Sequence, residues 1–147
     1  MELSKTQKRK GRILALQVLY SYEHNRSASI VDVFEAVSSI PEAGLSSNDT
    51  IRFAKSLCVL AVRYITHIDK VLSDYTDNWD ITRLSSIDRN TLRLAAAEII
   101  SDHATPFAVV INEAVEIAKE YGTDESASFI NGVLDAAKNE IQKINKE

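Results

Sequence analysis

The sequence is poor in the residues that bend or cross-link a chain. Its 147 residues include one cysteine, two prolines, four glycines and one tryptophan. A lone cysteine excludes an intramolecular disulfide. Cys58 sits in the apolar run Leu57-Cys58-Val59-Leu60 and reads as a small buried hydrophobe. A nucleophilic cysteine needs a nearby base and access to solvent, and the surrounding sequence points to neither. So few glycines and prolines exclude the many turns of a small all-β domain and favour long helices with few connections. No apolar stretch approaches the ~20 residues needed to span a bilayer. No uninterrupted apolar stretch with a small-residue cleavage site marks a secretory signal. The expected location is a reducing cytoplasm.

Catalytic patterns are also missing. His24, His67 and His103 are isolated, and no ligand-spaced pair such as HExxH occurs. Neither GxGxxG nor GxxxxGK[ST] is present to cradle a nucleotide phosphate. Asp124-Glu125 reads as the acidic first turn of a helix, favoured there by the helix dipole, and not as an acid/base couple. No catalytic residue, metal ligand or cofactor is expected, and the chain does not read as an enzyme.

What is present is a core and one uneven charge. Apolar residues make up 45% and charged residues 26%, as in an ordinary globular domain. One domain spanning 1–147 follows from that length. The net charge is −4, yet the first twelve residues carry +4 from Lys5, Lys8, Arg9, Lys10 and Arg12 against Glu2. The remaining 135 residues therefore carry −8. The basic segment 5–12 runs straight into the apolar pattern Ile13-Leu14-Ala15-Leu16-Gln17-Val18-Leu19-Tyr20. Cations held beside a folded body suit a polyanion. Lys8 and Arg12 share a helix face.

Periodicity predicts an all-α, compact bundle of about six or seven helices. The first runs from about Thr6 to Asn25, with Gly11 loosening its first turn. Ser29 caps a short helix carrying Ile30, Val33, Phe34 and Val37. A serine-rich loop over 38–48 follows. One long helix is expected from Asp49 to Tyr75, with Ala54, Leu57, Cys58, Ala61, Ile65, Ile68, Leu72 and Tyr75 on its buried stripe. Trp79 is expected to close the core. Ser86 is expected to cap a helix reaching Asp102, and Thr105-Pro106 to start another. Gly122 stops that helix, and the last restarts at Thr123 and buries Phe129 or Ile130. A tail over about 140–147 is expected to fray.

Four segments carry a further pattern. Lys8-Arg9-Lys10-Gly11-Arg12 with Ala15-Leu16-Gln17-Val18-Leu19-Tyr20 is similar to an arginine-rich stretch followed by A-x-Q-x-L-Y. Asp88 to Leu94 resembles a middle motif ending in L-R. Ala108 to Lys119 resembles V-A-I-N-E-A-V-E-L-A-K, and Ser126 to Asp135 resembles S-x-x-F-V-N-G-V-L-D. Together these segments resemble the NusB family of bacterial transcription antitermination factors, and the resemblance covers residues 8 to 135 in order.

It implies a helical bundle without enzymatic activity. Members bind single-stranded boxA RNA of ribosomal RNA leader transcripts together with the ribosomal protein NusE. Other Nus factors and RNA polymerase complete the assembly, and members occur as monomers or homodimers. Carried over, Lys8, Arg9, Lys10 and Arg12 would contact phosphates. Tyr20 and Phe129 would stack bases, Asn131 would read a base edge, and Asp88 would lie near the RNA and partner surfaces. Arg93, Glu98 and Glu125 would face the protein partner. Lysine stands for arginine at Lys8 and Lys10, which loses bidentate forks. Ala97 stands where an aromatic is frequent, and Glu125 where aspartate is usual. The competing reading is a helical protein-binding module without RNA selectivity, using the 86–102 helix. Some RNA methyltransferases carry a similar domain as an extension; with the sequence ending at Glu147 and showing no cofactor-binding part, that enzyme reading is not expected.

Overall fold

The computed structural model describes residues 3–25, 27–39, 47–77, 80–101 and 105–144. Seven α-helices occur among them: α1 Lys5–Glu23, α2 Ile30–Ser38, α3 Asn48–Arg63, α4 Ile65–Asp74, α5 Ser86–Ile100, α6 Phe107–Tyr121 and α7 Ser126–Gln142. A single 3₁₀ turn, Ile81–Arg83, precedes α5. No strand occurs among the described residues. The all-α expectation holds. Trp79, His103, Asp102 and most of the 38–48 loop lie outside the described residues.

Serine starts four of the helices. The hydroxyls of Ser4, Ser29, Ser47 and Ser85 accept from the backbone N–H of Gln7, Asp32, Thr50 and Asp88. Each satisfies a donor that a helix end would leave unpaired. The α5 cap is thus Ser85, one residue before the expected Ser86. Helix α6 begins at Phe107 with Pro106 as its cap, also one residue from expectation. Helix α7 begins at Ser126, so Asp124 and Glu125 precede it instead of filling its first turn.

The first turn of α1 is fixed rather than loose. Ser4 and Gln7 form a reciprocal capping box. Gly11 is buried where α1 crosses α3, and a Cβ there would lie 2.7 Å from Phe53 Cδ2. The glycine permits a close helix approach, a role that local propensity cannot reveal.

The expected long helix is broken at Tyr64, whose φ of −105° and ψ of 17° end α3 and begin α4. Its apolar stripe serves two cores. Ala54, Leu57, Cys58 and Ala61 join α1 and α2 in one cluster. Ile68 and Leu72 join α6 and α7 in another. Ile65 is only partly buried and Tyr75 is exposed, because α4 has turned away from the axis of α3.

Helix α5 lies between the two clusters. Every residue from Asn90 to Ile100 is buried. Leu94 and Ala97 face the first cluster, while Leu92, Ala95, Ala96 and Ile99 face the second. A helix buried on all sides is the centre of its domain. Helix α7 reaches Gln142, into the stretch expected to fray, because Ile141 is fully buried.

Candidate nucleic-acid interface

Two groups of ion pairs tie α1 to the interior. Near its start, Arg12 donates to both Glu98 carboxylate oxygens, Nε to Oε1 at 2.8 Å and Nη2 to Oε2 at 2.6 Å. Its Nη1 reaches Glu113 Oε1 at 3.2 Å, and its guanidinium lies over the Phe53 ring at 5.6 Å. Arg9 grips the same Glu113 in a bidentate fork, at 3.2 and 2.6 Å. Hydrogen bonds and charge from Arg9 hold the Glu113 carboxyl below its ordinary range, against the opposing effect of burial. Glu113 in turn raises the Arg9 guanidinium. Arg9 nevertheless leaves 41% of its side chain exposed, against 6% for Arg12.

The second group closes the other end of α1. Glu23 accepts from Arg89 Nε at 2.7 Å, Arg89 Nη2 at 3.0 Å, Arg93 Nη1 at 2.9 Å and the Ser86 hydroxyl at 2.8 Å. Arg93 also forks onto Asp69 at 2.9 and 2.8 Å. Burial alone would raise the Glu23 carboxyl. Bonds from Arg89 and Ser86 and the charges of Arg89 and Arg93 outweigh it and hold the group at about 2. Arg89 Nη1 further donates to the Leu84 carbonyl at 2.6 Å, which fixes the turn before α5.

The expected site residues therefore divide. Lys8, Arg9 and Lys10 stand at the surface of the first turns of α1. Tyr20 is 46% exposed, about three turns further on. Asn131 is exposed on α7, beside the exposed Gly132, around which a Cβ would meet nothing within 4 Å. Phe129 is partly buried against the second cluster, and its neighbour Ile130 is the fully buried residue. Asp88 is partly buried in the first turn of α5, and its Oδ1 has no hydrogen-bond partner. Glu125 is exposed immediately before α7. Arg12, Arg93 and Glu98 are different. All three are buried and already bonded within the protein, so none offers an unengaged charge at the surface. Ala97 is fully buried.

Sequence reasoning gave no role to Glu23, Asp69, Arg89 or Glu113. A signal existed for Glu113, which occupies an inward position between Val110 and Ile117. A charge at a core position implies a buried partner. The partner's identity depends on helix packing, which periodicity does not encode.

Among the described residues, no group of three or more metal-ligating side chains occurs, and no helix is long and apolar enough to cross a membrane.

Comparison with known proteins places this geometry in context. The model of the NusB family matches residues 9–139. The chain is 40% identical over 141 residues to the transcription antitermination protein NusB of Thermodesulfovibrio yellowstonii, covering 91% of this chain and 93% of that one. It is 38% identical over 132 residues to the NusB of Treponema denticola, covering 90% and 96%. Among solved structures, T. maritima NusB superposes with a TM-score of 0.79 at 31% identity, covering 100% of this chain and 94% of that one. A structure of the antitermination factors NusB and NusE in complex with double-stranded RNA gives 0.79 at 28% identity, covering 93% and 99%.

Proposed function

The chain belongs to the NusB family, and from that premise we propose that it is a non-enzymatic antitermination factor binding single-stranded boxA RNA jointly with NusE. Other Nus factors and RNA polymerase are the further partners of this reading. The observation that carries it is the surface placement of Lys8, Arg9 and Lys10 on a helix whose orientation is fixed by the buried Arg12. Cations on a fixed helix meet phosphates without first ordering the chain, which removes part of the entropic cost of binding. A NusB relative is found with NusE and RNA in one solved complex.

Each residue then has a role. Lys8, Arg9 and Lys10 contact phosphates. Tyr20 and Phe129 stack on unpaired bases, each worth about 1–3 kcal/mol. The Asn131 amide reads a base edge beside Gly132. Asp88 lies where RNA and protein surfaces meet, and Glu125 faces the protein partner. Arg12, Arg93 and Glu98 act from inside, by holding α1 and α5 in register.

The test is a titration of fluorescent boxA RNA, with and without NusE, at two salt concentrations. Lys8→Ala with Lys10→Ala should weaken binding and flatten the plot of log K against log salt by about 1.4, at about 0.7 per phosphate on a single strand. An unchanged slope would remove the basic segment from the interface. A shuffled oligonucleotide competing as well as boxA would leave the chain a protein-binding module only.

A further inference from the structure

His24 was isolated in the sequence, but it is paired in the structure. Its ring lies against Tyr20, with centroids 4.7 Å apart and planes tilted by 34°. Its Nδ1 is 2.9 Å from the Tyr20 carbonyl oxygen. A carbonyl only accepts, so Nδ1 carries the proton and donates. The His24 backbone N–H also closes α1 by donating to Ser21 and Tyr22. The ring is therefore held from both its backbone and its side chain, while the residue remains exposed.

This pair forms one wall of an open cleft of about 500 Å³ between the end of α1 and α2. Val33 and Ala36 contribute apolar surface, and Asn25 and Asp32 contribute polar groups. Tyr20 and His24 also lie on a face of α1 that starts in its basic segment. Arg9, Ile13, Gln17, Tyr20 and His24 follow 3-and-4 spacing and share one face, along roughly 22 Å of helix. Gln17, Tyr20 and His24 are exposed, and Arg9 and Ile13 partly so.

The chemistry of this cleft differs from that of the basic end. The Asp32 carboxylate repels phosphate. It accepts readily from an exocyclic amino group, as acidic side chains do with cytosine. A flat ring with a polar edge fits two aromatic faces beside such an acceptor. We propose that Tyr20 and His24 form a stacking platform for one unpaired nucleobase of the bound RNA, with Asp32 selecting a base that carries an amino group over uracil. This rests on the RNA-binding reading above and adds His24 and Asp32 to it.

The experiment measures Kd for the full-length protein on single-stranded boxA RNA and on a series with one abasic nucleotide at each position in turn. His24→Ala should weaken binding about fivefold, the equivalent of about 1 kcal/mol of stacking. His24→Phe should restore it, because the phenyl ring stacks without the imidazole bonds. One abasic position should weaken the wild type but add little to His24→Ala. At that same position, Asp32→Asn should lose the discrimination against uracil. If wild type and His24→Ala bind equally, or every abasic penalty is the same in both, the platform is overturned while the RNA reading stands. If the wild type binds no RNA, both readings fall.

Discussion

Gly11 and Gly132 are both inside helices, yet their surroundings are opposite. At Gly11 a methyl group would press into Phe53 and approach the Thr50 carbonyl at 3.3 Å. Alanine there gains helix propensity of about 1 kcal/mol but overpacks the crossing with α3, at about 1–3 kcal/mol. Gly11→Ala should therefore lower stability by roughly 1 kcal/mol. At Gly132 the space is open, so Gly132→Ala should raise stability by about 1 kcal/mol. Urea denaturation of the two variants decides the matter. Equal shifts of the same sign would show that α1 and α3 do not approach as closely as described.

Helices α1 and α5 run antiparallel and exchange charges at both ends. Helix α1 presents Arg12 near its start and Glu23 at its end. Helix α5 presents Arg89 and Arg93 early and Glu98 late. Reversing either helix would set arginine against arginine and carboxylate against carboxylate. The pairs therefore select one orientation, whatever they add to stability. Breaking one should be costly. Glu98→Ala leaves Arg12 buried with only part of its counter-charge and should cost about 3 kcal/mol or more. Replacing both partners, Arg12→Met with Glu98→Leu, should recover most of that loss. Denaturant melts of the single and double variants check this. A double variant no better than Glu98→Ala would mean that packing, not the orphaned charge, accounts for the loss.

The whole molecule should unfold as one unit, because α5 contributes to both apolar clusters and neither half retains a core without it. Leu16→Ala in the first cluster and Leu92→Ala in the second should each cost about 2–5 kcal/mol. Both should shift a single transition, seen alike by circular dichroism and tyrosine fluorescence. Two separated transitions would mean independent halves. Acid acts on the same scale. Glu23 is held at about 2 in the folded chain, against an ordinary 4.5. Its contribution is complete above about pH 4.5 and is lost as pH falls toward 2, since the unfolded chain takes up the proton first. Glu113 shifts in the same direction. Melting temperature should fall steeply between pH 4.5 and 2, and less steeply in Glu23→Gln.

Much of this protein follows from local pattern. Apolar spacing at three and four residues, serine at the helix starts and scarce glycine and proline prescribe a helical bundle. The clustering of charge marks α1 as the end suited to a polyanion. These are properties of short segments, set by backbone hydrogen bonding and by which side chains avoid water. Tertiary structure alone decided which charges point outward. Arg9 and Arg12 are three residues apart in one basic run, but Arg12 turns inward to Glu98 and Glu113 while Arg9 remains half in solvent. The break at Tyr64 also arises only once the helices pack. The physical reason is the same in each case. A buried charge or a bend is stabilised by groups distant along the chain, and their position depends on every helix between them.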